Sequence, residues 1–299
     1  MFIRSTRLLS EYADRFSSIR TDCVFHSIGK IPTRIAGRVV PVGGKKYLRE
    51  LLKSIDGIAA VICTPDVVEN IPSELGCAVS DSPVRASYEV HRDLVRKNAF
   101  WKSFPSRIHP TAEIHPSAYV SPTDVEIGAN TVVAPNASVH ERSIIGADCY
   151  IGPGTVIGSP AYEVSNLDGR PTLLPQAGGV LIGNNCAFLA NTTVARSIFP
   201  VFTEIGDDCS FDNLVHVAHD CVLGRGVKMT ACSMLSGRVT IDDDAYIGPN
   251  ATISNGLTIG KKSTVTIGSV VVRDVPDGVR VTGNFAAPHA EHLRRQSSG

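Results

Sequence analysis

Stepping by six residues from Ile205 reaches Phe211, Val217, Leu223, Met229, Leu235, Ile241, Ile247, Ile253, Ile259, Val265 and Val271, and every one of these positions is apolar. In a chain that is 43% apolar, a single frame does this by chance about four times in a hundred thousand, so the period is real. The next residue in each hexad is usually small or turn-forming: Gly206, Ala218, Gly224, Ser236, Gly248, Gly260. The fifth is small or β-branched: Cys209, Val215, Cys221, Val227, Ala245, Ala251, Ser263. A helix needs a spacing of about 3.6, so a step of six predicts a short strand followed by a tight corner.

The same clock runs earlier, at Ile108, Ile114 and Val120. It slips by one residue and continues through Ile127, Val133, Val139, Ile145, Ile151 and Ile157. It breaks over "GSPAYEVSNLDGRPTLLPQAGGVL", resumes at Ile182, Phe188 and Val194, and breaks again from Ala195 to Glu204. Three hexads per turn predict a triangular coil of about 18 residues. Stacked coils bury the apolar column, and parallel strands satisfy one another's backbone groups. The first break cannot hold register, so residues 159–181 are expected to protrude as a loop. The coil is expected over 106–282, with a short tail at 283–299. Residues 1–105 lack the clock. There "GIAAVICTP" reads as a buried strand and "SPVRASYEVHRDLVRK" as an amphipathic helix opening at Pro83, which predicts a small α/β domain. The segment "KSFPSRIHP" is the expected join.

Twenty-nine basic residues balance twenty-nine acidic ones, which gives no reason to expect nucleic acid or an anionic membrane as a partner. The start "MFIRSTRLLSEYADRF" has no continuous apolar stretch, and no later run approaches spanning length. A soluble cytoplasmic protein is the expectation. The eight cysteines form no CxxC pair, and Cys149, Cys186, Cys209 and Cys221 share the fifth hexad position. That predicts small buried corner residues rather than a disulfide framework or redox chemistry.

Within "FDNLVHVAHDCVLG" two histidines stand three residues apart, His216 and His219. Val217 is the inward residue, so His219 falls two places later, on the turn or outer wall. One coil above it stands Gly237, and adjacent strands lie ~4.8 Å apart. A base beside a backbone N–H that no side chain blocks is what acyl transfer needs: the base takes a proton and the donor stabilises the oxyanion. Zinc on His216 and His219 is the competing reading, with Cys221 as the nearest third ligand, although Cys221 holds a corner-packing position. The run Asp242-Asp243-Asp244 reads as a solvated turn.

The segments "DNLVHVAHDCVLG", "MLSGRVTI", "AYIGPNATISNGLTI" and "KSTVTIGSVVVRDVP" resemble the hexapeptide acyltransferases of lipid A synthesis. The resemblance is to the UDP-3-O-acylglucosamine N-acyltransferases (the LpxD type), with "LPQAGGVLIG" after the long break and "STVTIG" near the end in support. It implies a mainly β fold, a left-handed parallel β-helix carrying the small α/β domain. It implies transfer of an acyl group from a thioester, on acyl carrier protein or coenzyme A, to a nucleotide-linked amino sugar. No permanently bound cofactor or metal is implied, and the assembly is a homotrimer. Carried across, His219 is the catalytic base and Gly237 the oxyanion donor, while His216, Asp220, Asn255, Tyr47 and Tyr162 bind substrate. An acyl-CoA-dependent O-acyltransferase and a catalytically silent scaffold are the alternative readings. The chain departs from the family at Leu257, where a second histidine is usual, and at His216, commonly Gln. In the nucleotide-binding segment "VVPVGGKKYLREL", Tyr47 matches one stacking aromatic, whereas Pro41 replaces the other and Gly44 replaces an Asn.

Overall fold

The computed structural model describes residues 1–31, 33–167 and 169–283. From residue 284 onward the expected tail lies outside the described residues. The hexads form three parallel sheets of eight, eight and nine short strands, and successive strands visit the three sheets in turn. Most strands are two residues long, and the second residue is the inward one of the clock, as in His216–Val217, Met234–Leu235 and Thr252–Ile253. Val217, Leu235, Ile241, Ile247, Ile253 and Ile259 are fully buried in one continuous apolar column. Each such side chain contributes roughly 1.5–3 kcal/mol on leaving water.

Both breaks are bridged without disturbing the stack. Ile145 pairs with Ile182 across the long break, and Ile182 pairs with Ile205 across the short one. The fifth-position cysteines are buried as expected, and the thiols of Cys149, Cys186 and Cys209 each donate to a carbonyl of the adjoining coil, those of Gly183, Gly206 and Gly224. At the top the clock fails: Val281 pairs with Val265, where a full coil would have brought residue 283.

Most corners place one residue in the left-handed region, which short polar side chains tolerate best. Asn130, Asn136, Asp148, Asn191, Asp208, Asp220 and Asn250 fill such corners. Arg142, Leu214, Cys232, Arg238 and Lys262 do so against that preference.

The N-terminal residues build a five-stranded sheet: Ser27–Ile28, Arg38–Val42, Ile58–Cys63 and Gly76–Val79 run parallel, and Ser18–Thr21 is an antiparallel edge. Helix α1, Lys45–Lys53, and helix α2, Pro83–Arg96, flank it. The buried Arg38 guanidinium donates to the carbonyls of Lys30, Ile31, Ile35 and Asp56, fixing the loop that carries Lys30.

The long break does not simply protrude. It folds back as a hairpin, Val164–Leu167 against Arg170–Leu173, and buries Ala161, Leu167, Leu174 and Ala177 among small-domain residues such as Leu94 and Phe100. A segment with four buried apolar side chains has reason to dock rather than stand in water. His91 on α2 clamps it, donating from Nε2 to the Pro175 carbonyl at 2.9 Å.

Candidate active site

The corner that carries His219 begins with Asp220, whose left-handed backbone (φ 58°) turns its carboxylate back toward the preceding residue. Asp220 Oδ2 lies 2.7 Å from His219 Nδ1. The Asp220 amide donates to Thr203 Oγ1, itself buried, which fixes the turn from the second irregular stretch. With a carboxylate accepting from Nδ1–H, the His219 lone pair sits on Nε2, the nitrogen a base requires. Asp220 was expected to bind substrate. Its side chain is 7% exposed and engaged with the imidazole, so it fixes the orientation of the ring.

Gly237 stands one coil above, as the repeat requires: the Arg238 amide donates to the His219 carbonyl at 2.8 Å. A Cβ built on Gly237 would meet His219 Nε2 at 2.5 Å and Nδ1 at 3.0 Å, so the imidazole occupies the space a side chain would fill. Among the described residues the Gly237 N–H donates to no acceptor. His219 lies outside the apolar column, as read from the sequence, but it is only 8% exposed and so is not on an open outer wall.

His216 is half-buried on the adjacent strand, between Thr193 and Met234. Burial, then the charge of His219, hold it below the usual histidine value. Cys221 turns its thiol inward onto the Ser236 carbonyl at 3.2 Å, away from both imidazoles, which removes it as a metal ligand. Asp243 serves the turn it was read as, accepting from the Arg225 amide and from Lys261.

Between the small domain and this corner lies a cavity of about 350 Å³, lined by Lys30, Pro41, Tyr47, Tyr88 and Arg238 among others. The structure thus brings Tyr47 into the same cavity as Arg238, the residue after Gly237. Tyr162 is not brought there; it is 85% exposed. Its neighbour Glu163 instead contacts two of the lining residues, accepting at Oε1 from Tyr88 Oη at 2.7 Å and from Lys30 Nζ at 3.0 Å. Burial pushes the Glu163 carboxyl up, but the Tyr88 hydrogen bond and the Lys30 charge outweigh it and hold it below its ordinary range. Asn255 is exposed at the corner one coil above Gly237. Sequence reasoning missed Lys30, Tyr88, Glu163, Thr203 and Arg238. Only Arg238 left a local signal, a charged residue at a corner that favours Asn or Asp.

These coils define a hexapeptide-repeat protein with a left-handed parallel β-helix. Residues 124–159 match the bacterial transferase hexapeptide (six repeats) family. The chain is similar to the UDP-3-O-acylglucosamine N-acyltransferases of Maricaulis maris (32% identity over 162 residues, 54% of this chain and 46% of that protein) and of Bordetella pertussis (30% over 173 residues, 58% and 44%). It therefore spans less than half the length of these relatives. Among solved structures, the UDP-N-acetylglucosamine acyltransferase of Campylobacter jejuni shares the fold, with a TM-score of 0.50 at 23% identity over 64% of this chain and 78% of that one. Among the described residues no helix is long and apolar enough to cross a membrane.

Proposed function

We propose that the protein is an acyltransferase that moves an acyl group from a phosphopantetheine thioester to the amine of a nucleotide-linked amino sugar in the cytoplasm, as in lipid A or surface polysaccharide synthesis. The observation that carries this reading is the seating of the His219 imidazole against Gly237, with Asp220 on its far nitrogen. The acceptor amine attacks the thioester carbonyl, and Nε2 of His219 removes the amine proton as the C–N bond forms. The Gly237 N–H stabilises the resulting oxyanion. Collapse breaks the C–S bond, and the imidazolium returns its proton to the departing thiolate. Asp220 stabilises the imidazolium in between. His216 contacts the acceptor sugar, Tyr47 its nucleotide, and Asn255 and Tyr162 make further contacts to the bound substrates. The donor thioester is carried by acyl carrier protein or coenzyme A, and three copies assemble so that neighbouring coils flank each site.

Incubation of the purified protein with acyl carrier protein thioesters or acyl-CoA and a UDP-linked 2-amino sugar tests this. Release of free thiol together with an amide product is expected. No product from either donor, with an intact fold, overturns the reading.

A further inference from the structure

The cavity between the small domain and the coil has two chemically different walls. Helix α1 supplies Tyr47 and, one turn on, Glu50; the same side carries Pro41 and Gly43. That wall is aromatic and acidic. The opposing cations are Arg238, from the corner of the coil, and Lys30, from the loop held by Arg38. An anion in the cavity is therefore repelled from the α1 side by Glu50 and drawn to the side that adjoins Gly237.

Arg238 sits there at a conformational cost. Its φ of 63° puts a long side chain at a corner that Asn, Asp or Gly fill more easily, and the coil directly below and the one above use Asp220 and Gly256. Among the described residues Arg238 has no ion-pair partner, although it is half-buried and lines the cavity. Other non-polar and basic residues share that corner conformation, so the distinguishing feature of Arg238 is its half-buried guanidinium. It lines a cavity without an ion pair among the described residues, which suits a ligand whose charge it meets. Lys30, paired with Glu163, adds an ammonium with further donors available.

We infer that Arg238 and Lys30 form a diphosphate subsite, which anchors a nucleoside diphosphate-linked acceptor beside the base and oxyanion donor. This rests on the acceptor reading above and specifies it. Pro41 offers no aromatic face opposite Tyr47, and Gly44 no side-chain hydrogen bond. Affinity therefore comes from the diphosphate more than from the base, and discrimination among bases is weak.

The test is calorimetric titration with UDP, GDP and uridine of wild type, Arg238→Asn and Lys30→Gln. Asn suits the left-handed corner, so Arg238→Asn removes the charge without unfolding the turn, and a thermal melt checks this. The subsite predicts that wild type binds UDP and GDP within about fivefold of each other and uridine far more weakly. Arg238→Asn should lose roughly 10- to 100-fold in UDP affinity, Lys30→Gln less, and neither should change uridine binding. UDP affinity unchanged in both folded variants overturns the subsite while leaving the acyltransferase reading intact. Absence of any nucleotide binding by wild type overturns the subsite and the nucleotide-sugar acceptor together.

Discussion

Gly237 and His219 share one volume: the imidazole of the lower coil fills the place that any side chain on the upper coil would claim. Gly237 carries no positive φ, so alanine fits the backbone there and only the ring must yield. Gly237→Ala should cost ~10²-fold or more in kcat, because it displaces the base and crowds the oxyanion position. Its melting temperature should stay within a few degrees of wild type, since a ring at a buried corner can rotate aside. Unimpaired turnover in a folded Gly237→Ala variant would remove this corner as the reaction centre.

His219→Ala should lower kcat by ~10²–10⁴-fold with the coil intact. Asp220→Asn should lose less and give no further loss on top of His219→Ala, because Asp220 acts only through the imidazole. Steady-state kinetics of the two single variants and the double variant check this. Additive losses would mean that Asp220 touches substrate after all.

The fully buried His91 has a pKa pushed down by burial to about 4, from 6.5. The native state keeps it neutral where the unfolded chain takes up a proton, so stability is complete above pH 6.5 and falls as pH drops toward 4. The loss is on the order of 3 kcal/mol at the acid end of that window. His91→Gln retains a donor toward Pro175 and does not titrate. Urea denaturation between pH 7 and 4 should show a smaller loss in His91→Gln than in wild type; parallel curves would contradict the assignment.

Tyr47 lines the cavity and is 44% exposed, open to a ligand. Tyr47→Ala should weaken nucleotide-sugar binding by roughly 1–3 kcal/mol, the value of one base–aromatic stack. The effect should appear in KM with kcat little changed, because this contact is made equally in ground and transition states. An unchanged KM would assign the ring to the small domain's surface.

The protein should be a homotrimer. One sheet presents Tyr119, Val156, Met234 and Val270 outward in a column that also holds Ser138, Thr193, His216 and Thr252, an uncharged flat face of mixed polarity that a second copy can cover. Light scattering at micromolar concentration should give about three times 31.9 kDa; a monomer would reject shared sites between subunits.

The coil was legible because one requirement, an inward apolar residue per strand, recurs at a fixed step and fixes which residues stack. That alone placed Gly237 over His219. The docking of residues 160–178 was not legible, because Glu163 finds Tyr88 and Lys30 at 75 and 133 residues' distance and nothing local marks the pairing. Tyr162 was read as the contact of this segment, whereas the residue that meets Tyr88 and Lys30 is its neighbour Glu163, and Tyr162 is exposed. The contact of Asp220 with the imidazole was not legible either, since the backward turn of its carboxylate depends on a corner conformation that the residue's identity permits but does not dictate.

The hairpin's docking also bears on the order in which the molecule can be built. The small domain's apolar cluster draws Leu9, Phe25 and Leu94 together with Ala161, Leu174, Ala195 and Phe199. A ribosome releases the first partners long before the last, so the nascent domain holds an open hydrophobic face until roughly 100 further residues have emerged. Its closure waits for the coil to wind past both breaks. Synthesis that stalls within the first coils would leave that face to chaperones or to aggregation, and a fragment ending at residue 105 would inherit the same defect permanently.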